Sequence, residues 1–505
     1  MIFHNPVLPG FYPDPSVCRA NGKYYLACSS FEFYPGVPLF ESDDLVHWRP
    51  IGHALTAPAQ ARLAAVAPSR GIWAPTLRWH DGLFYLATVN MDGGGNFFVT
   101  ARDPRGPWSD PVYVPMKSID PSLFFEDGKL YFMTPQTKTP GAVRGIYMAQ
   151  IDPATGRLLT GERLLWQGSG GKCLEAPHLY HIGDYYYLMA AEGGTEYGHG
   201  ITIARSRALW GPYDGCPDNP IVTNRDDHDN PLQCAGHGDL VETPDGGWAM
   251  VLLASRWGSK WHSHIGRETC LLPLHWQDGW PRPANGGRCL HEQEDAAWLT
   301  APAAAAAPGF CLDTRAAHWD RDFAFLRQRE PGAYRPDPET GGLTLRGGAP
   351  LSTSLTPVWI GHRQQLMQGT CSVQLAFDPP EGAEAGLTLY LSPHYHFDLA
   401  ARRQGGQAQL LLRQTAGPCL SAVTACVPLP AGPLTLTVQA TPTRYRFSAA
   451  DGRGMRVELG EAETRLLSNE LAKLFTGVFF GLYCQDPAGR AEASFTQFRC
   501  VPQEL

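Results

Sequence analysis

The chain has 505 residues, of which 43% are hydrophobic, 18% charged and 11% aromatic, with 54 glycines and 44 prolines. That mix excludes a disordered, collagenous or coiled-coil protein, and turn formers beside so many aromatic residues point to short strands. A formal net charge of −8 excludes the basic surface that a grip on nucleic acid requires, so the expected partner is neutral or weakly polar.

The length suits two to three domains, the lower number if the chain is all-β. The opening MIFHNPVLPG has neither the basic start nor the apolar core of a signal, and no stretch reaches the ~18–20 apolar residues of a membrane span. The expectation is a cytoplasmic protein with no membrane partner. The 13 cysteines contain no C-x-x-C pair and read as reduced, buried thiols, not as a disulfide framework or a zinc site.

A turn feeding an aromatic strand recurs five times: NGKYYLACSS from Asn21, DGLFYLATVN from Asp81, DGKLYFMTPQ from Asp127, GDYYYLMAAE from Gly183 and DGGWAMVLLAS from Asp245. From Gly22 through Gly82, Gly128 and Gly183 to Gly247 the steps are 60, 46, 55 and 64 residues. Further turn-plus-aromatic segments between them, such as DLVHWRP from Asp44, GPWSDP from Gly106 and GPYDGC from Gly211, give each unit several strands. Units of this length and strand content predict a five-bladed β-propeller over residues 1–295.

Ten residues before each recurring strand, the units carry Asp14, Ala74, Asp120 and Glu175; in the fifth, His237 precedes Trp248 by eleven. If the units are equivalent, these positions open the innermost strands and meet around the central channel, drawing carboxylates together from distant parts of the chain.

After Arg288 the pattern stops. TAPAAAAAPG from Thr300 marks a linker, placed at 296–310, and the alternating segments beyond it, among them GGLTLRG, TCSVQLAF, QAQLLLRQ, PLTLTVQA and ASFTQFRCV, predict a jelly-roll-like β-sandwich over 311–505. The fold class expected is therefore all-β, a five-bladed propeller followed by a C-terminal sandwich.

Acidic groups gathered in a concave, aromatic-walled site suggest cleavage of a glycosidic bond, which needs one carboxylic acid to protonate the leaving oxygen and one carboxylate to act on the other side. Crowding like charges raises the pKa of one member, so a Glu beside an Asp keeps its proton near neutral pH.

Here the motifs resemble a known family. PDPS at Pro13, WAPT at Trp73, IDPSLFFEDG at Ile119, EAPHLY at Glu175, AEGGTEYGH at Ala191, AGHGDLV at Ala235 and GRET at Gly266 are similar to glycoside hydrolase family 43, most of all to its two-domain β-xylosidase and α-L-arabinofuranosidase group. The resemblance implies an inverting exo-glycosidase releasing xylose or L-arabinose from the non-reducing ends of small oligosaccharides. It makes Asp14 the general base, Glu175 the general acid and Asp120 the residue that orients Glu175 and tunes its proton affinity. For inversion the Asp14 and Glu175 carboxyls should stand roughly 6.5–9.5 Å apart. Phe31 and Trp73 would wall the sugar pocket, Arg267 would bond sugar hydroxyls, and Thr195 would join them. No cofactor is required by this chemistry, although in related enzymes a His placed like His237 helps hold a hydrated, calcium-like divalent ion. Where many relatives read EGPH, this chain reads EAPH.

Other segments read blandly. GSGGK from Gly168 is a flexible approach to Glu175, DDHDN from Asp226 a solvated blade connection, and WHSHIGRE from Trp261 a metal-free loop. The sandwich is expected to close the pocket, with SPHYHF from Ser392 as the candidate loop, and the motifs are compatible with a homo-oligomer. Two rival readings remain: an endo-acting arabinanase or xylanase with an open groove, and a catalytically silent carbohydrate-binding protein.

Overall fold

The computed structural model describes residues 1–136, 143–300 and 309–503. Five four-stranded antiparallel sheets follow one another along the first half. Their innermost strands are Ser16–Ala20, Thr76–His80, Ser122–Glu126, Glu175–Ile182 and Leu232–Glu242, and the recurring phrases form the second strand of each blade. The tight turns Asn21-Gly22, Asp81-Gly82 and Asp127-Gly128 have positive φ at both residues, the geometry that matches the twist of a two-residue hairpin. The one-residue offset in the fifth blade lies in its longer turn, because Glu242 pairs with Trp248 across residues 243–247.

Alternation with period two explains why the phrases are apolar throughout. In the second strands, Phe132 joins the core between the second and third blades and Met133 the core between the third and fourth; Leu188 and Met189 divide in the same way one blade later. A further core holds Val17 and Leu26 of the first blade against Val251 and Leu271 of the fifth, which closes the ring. Strand Ile2–His4 pairs with Gln293–Asp295 at the same seam. Ala296 and Leu299 pack into that core, and Trp298 Nε1 donates to the Asp44 carbonyl at 2.8 Å, so the chain is held to the propeller up to residue 299. Residues 301–308 of the Ala/Pro linker lie outside the described residues.

Beyond it, two eight-stranded antiparallel sheets pack as a sandwich. One sheet runs from Ser421–Pro428 to Phe323–Leu326 and then takes in Phe33–Tyr34 of the propeller as its edge strand. The inner face of this sheet packs on the sandwich core, while Trp359, Tyr390 and Phe479 on its other face pack on Phe11, Phe31 and Phe33 of the propeller. The two halves thus share a buried aromatic seam, in which Phe33 and Phe479 stack with centroids 4.2 Å apart. Fully burying one such side chain contributes roughly 1.5–3 kcal/mol.

A carboxyl is buried in this seam. Glu32 is 1% exposed; the Ser69 backbone N–H donates to its Oε2 at 2.9 Å, and Oε1 has no partner among the described residues. Arg327 of the sandwich donates its backbone N–H to the Glu32 carbonyl at 2.9 Å and its Nε–H to the Val66 carbonyl at 2.7 Å. Burial pushes the Glu32 carboxyl up to about 7, against the pull of Arg327. In the unfolded chain the same group ionises near pH ~4.3, so between there and about 7 the folded state keeps a proton that the unfolded state has released, and stability falls as pH rises. The loss amounts to about 4 kcal/mol across that window. Denaturant midpoints measured from pH 4 to pH 9 should therefore decline in the wild type and flatten in Glu32→Gln; an equal slope in both would place the titrating group elsewhere.

Candidate active site

The starts of the inner strands are tied to one another across the channel. Ser16 Oγ accepts from the Leu77 N–H at 2.9 Å, Thr76 Oγ1 donates to the Pro121 carbonyl at 2.8 Å, and the Ala176 N–H donates to Asp120 Oδ2 at 3.0 Å. Asp14, Asp120 and His237 all adopt left-handed backbone, with φ of 55°, 48° and 47°. Such positions are enriched in Asp and His and cost a little energy; Asp14 and Asp120 stand just before their strands, and His237 lies at a register shift within Leu232–Glu242.

Asp14 is 4% exposed and fully engaged. Arg267 Nη1 donates to its Oδ1 at 2.6 Å, Ser29 Oγ to its Oδ2 at 2.6 Å, and His237 Nδ1 stands 3.6 Å from Oδ1. Burial pushes the Asp14 carboxyl up, but Arg267, His237 and the Ser29 hydroxyl outweigh it and hold the group below its usual range, ionised. Asp120 shows the opposite balance: burial first, then the charges of Glu175 and Asp14, push its carboxyl well above the usual range. Burial and the neighbouring Glu175 charge thus favour the protonated form of Asp120. Glu175 opens its strand at a register shift, where Ala176 takes a φ of 52°. It is half-buried and so the more accessible of the two.

Phe31 and Trp73 form the wall expected of them, with ring centroids 6.0 Å apart. A third ring completes it: Phe475 of the sandwich stacks on Phe31 at 6.3 Å and meets Trp73 edge-on at 5.4 Å. Its N–H donates to Ser69 Oγ at 3.0 Å, its carbonyl accepts from Arg267 Nη2 at 3.4 Å, and Trp73 Nε1 donates to the Ser69 carbonyl at 3.1 Å. The Arg267 guanidinium lies 5.7 and 5.8 Å from the Phe31 and Phe475 rings, and Thr195 Oγ1 is 3.5 Å from its Nη1. The sandwich reaches this wall through Phe475 and not through the SPHYHF turn. That turn uses its rings inside the sandwich, where Phe397 is fully buried and Tyr395 packs on the core. No periodic signal marks Phe475, which follows a single helical turn and sits in the segment LFTG.

Below the carboxyls a charged cluster fills the channel. Asp239 takes a bidentate pair from Arg78 at 2.8 and 3.1 Å, a bond from Ser16 Oγ at 2.6 Å and another from the Tyr180 hydroxyl at 2.6 Å. Arg78 Nη2 also stands 2.9 Å from His178 Nδ1. Burial lowers the His178 imidazole to about 3, so it is neutral and accepts from the guanidinium. Sequence reasoning missed Arg78 and Asp239, although Asp239 stands two residues after His237, as Ser16 follows Asp14 and Ser122 follows Asp120.

The model for glycosyl hydrolases family 43 matches residues 3–281. The chain belongs to glycoside hydrolase family 43. A second match, over residues 315–500, is to the β-xylosidase C-terminal concanavalin A-like domain. Along its length this family 43 chain is 39% identical to a non-reducing end α-L-arabinofuranosidase of Bacteroides ovatus, covering 99% of this chain and 95% of that one. It is 31% identical to a β-xylosidase of Bacillus subtilis, covering 98% of each. The crystal structure of a xylan β-1,4-xylosidase from Bacillus halodurans superimposes with a TM-score of 0.92 at 32% identity, over 99% of this chain and 100% of that one. The protein is thus a glycosidase.

Among the described residues no three His, Cys, Asp or Glu side chains converge as a metal site. Asp14 and Asp239, the carboxylates near His237, are engaged by Arg267 and Arg78, so a calcium-like ion held by His237 would take most of its six to eight oxygen ligands from water.

The aromatic wall makes a measurable contribution. Phe475→Ala removes one of three rings and opens the pocket to water, so KM should rise about tenfold, the worth of one aromatic contact, with kcat less affected. Because Phe475 is only half-buried, the melting temperature should move little. Initial rates and thermal melts on the same preparation check both.

Proposed function

We propose that this family 43 enzyme removes single pentoses, α-L-arabinofuranosyl or β-D-xylosyl, from the non-reducing ends of short oligosaccharides with inversion at the anomeric carbon. The observation that carries the proposal is the pairing of two unlike carboxyl sites in one closed pocket. Asp14 is held ionised by Arg267 and Ser29, while the Asp120–Glu175 pair retains a proton. Asp14 takes a proton from water as that water attacks the anomeric carbon. Glu175 gives its proton to the departing oxygen, and Asp120, tied to the Ala176 N–H, holds the pair in place and keeps its proton affinity high. The two protons balance, and no cofactor enters. Arg267 keeps Asp14 anionic and aimed, and the rings of Phe31, Trp73 and Phe475 exclude bulk water from the sugar.

Closure by Phe475 favours an exo-acting enzyme over one with an open groove. A silent binding protein would have no use for oppositely tuned carboxyls. We also place the enzyme in the cytoplasm, on the chemistry of its 13 unpaired cysteines: Cys371 and Cys500 stand opposite each other on neighbouring strands and remain thiols. Cell fractionation checks that assignment.

The deciding experiment measures initial rates on aryl β-D-xylopyranoside and aryl α-L-arabinofuranoside, with proton NMR of the first product formed. Release of the inverted monosaccharide is the expected result, with turnover of pentose disaccharides lost in Glu175→Ala, and the rate ratio names the preferred sugar. Mixed oligomers from longer substrates would establish the endo reading, and no turnover of any pentoside would establish the binding protein.

A further inference from the structure

Three loops on the active-site end of the propeller carry aromatic residues that the reaction itself does not use. They are residues 193–199 after strand Tyr185–Glu192, residues 216–231 before strand Leu232–Glu242, and residues 257–266 between strands Trp248–Arg256 and Arg267–Gln277. They bring together Tyr197, His228, Trp257 and Trp261. Trp261 meets Trp257 at 4.8 Å and Tyr197 at 5.1 Å, and Tyr197 lies parallel to His228 at 5.8 Å. The Tyr197 hydroxyl is bonded to the Arg225 carbonyl and to His228 Nδ1, which fixes its ring. Trp261 is nevertheless 43% exposed, and Trp257 Nε1, buried, has no acceptor among the described residues. A fixed, exposed cluster of rings in a soluble protein marks a binding surface.

Its position says what binds. Thr195, two residues before Tyr197, is 3.5 Å from Arg267, and Glu196 pairs at 2.8 Å with Lys172, three residues before Glu175. The Gly193 N–H donates to the Lys172 carbonyl at 2.7 Å. The cluster therefore borders the pocket on the flank of Glu175, away from the wall of Phe31, Trp73 and Phe475. In glycoside cleavage the leaving group departs on the side of the acid. The nearby charges fall in pairs, Lys172 with Glu196 and Arg225 with Asp226, and offer no net positive site for an acidic sugar. Ring faces suit the C–H faces of a neutral one.

We propose that Tyr197, His228, Trp257 and Trp261 form a platform for the leaving group, binding the sugars on the reducing side of the scissile bond in a neutral oligosaccharide. This rests on the pentosidase reading above and adds to it a preference for chain length. Trp261 supplies the exposed face, and Trp257 and Tyr197 hold it upright. The segments DDHDN and WHSHIGRE, bland as metal motifs, thereby acquire a function through His228 and Trp261.

The test compares wild type, Trp261→Ala and Trp261→Phe on an aryl pentoside and on the matching pentose trisaccharide. The ratio of kcat/KM for trisaccharide to that for aryl pentoside should fall about tenfold in Trp261→Ala, mainly through KM, and recover in Trp261→Phe, which keeps a ring. Equal losses on both substrates would reduce Trp261 to a structural residue, and an unmoved ratio would overturn the platform. An unmoved ratio with an oligomer that dissociates in Trp261→Ala would instead make the cluster an interface between copies of this chain. Should the wild type cleave neither substrate, the pentosidase reading fails; the platform is then judged by quenching of indole fluorescence on titration with the trisaccharide, which must weaken in Trp261→Ala for it to stand.

Discussion

Replacing Glu175 by Gln should lower kcat on pentose disaccharides by about 10²–10⁴ while sparing substrates whose leaving group needs no proton. The physical ground is the difference between an alkoxide and an acidic phenolate. A sugar hydroxyl cannot depart as its anion near neutral pH, so the acid supplies most of the lowering of the barrier; a dinitrophenolate departs unaided. The ratio of wild-type to Glu175→Gln rates should therefore collapse as the leaving group becomes more acidic, a trend read from a series of aryl pentosides. The basic limb of the pH profile, which reports loss of the acid's proton, should vanish in the variant. Asp120→Asn sharpens the test. The Glu175 charge is among the causes that push the Asp120 carboxyl up, and that repulsion is mutual, so removing the Asp120 carboxylate should lower the proton affinity of Glu175. The basic limb should then move to lower pH with the acid still present. A uniform loss across all leaving groups in Glu175→Gln would deny it the role of proton donor.

How much of this was legible in the chain divides along a physical line. Asp14, Asp120, Glu175 and His237 could be found because repeats impose equivalence: a residue in register across five units must occupy equivalent places in five blades, and the innermost strands converge. Trp73 was found beside Ala74, the one register position with no functional group. What escaped was whatever depends on contacts between parts of the chain that share no register. Phe475 meets Ser69 across 406 residues and from another domain, and Ser29, which completes the grip on Asp14, lies in the first recurring phrase at a place the other four phrases do not repeat. The strand Phe479–Gln485 was overlooked because it is buried almost throughout, one face on the sandwich core and the other on the propeller. Alternation marks a strand with one wet face; a strand covered on both sides loses that signature. The same reason hid which residues of the sandwich meet the propeller, since those of the seam read as ordinary core.

Asp14→Asn should cost as much as loss of the acid, about 10²–10⁴ in kcat, but with the opposite dependence on the leaving group. A better leaving group cannot compensate for an attacking water that keeps its proton, so the deficit should persist across the aryl series in which the Glu175 variant recovers. Asn is the informative replacement because the backbone at this position is left-handed, with φ of 55°, a region Asn tolerates nearly as well as Asp and most other residues resist. Its Oδ1 can still accept from Arg267 or Ser29, so the pocket keeps its shape while the negative charge goes. The charge has a second function that the variant exposes. Asp14 is the carboxylate partner of Arg267, which is 6% exposed, and without it the guanidinium is buried beside Phe31 and Phe475 with its charge uncompensated. Removing one partner of a buried ion pair typically destabilises by about 3–5 kcal/mol. In the wild type, the depressed Asp14 carboxyl contributes stability that is present above its unfolded pKa and is lost as pH falls through its folded one, so melts of wild type and Asp14→Asn should converge in acid and diverge toward neutrality. Parallel melting curves at pH 3 and pH 7 would show that Arg267 finds its counter-charge elsewhere, and a leaving-group trend like that of Glu175→Gln would remove Asp14 from the role of base.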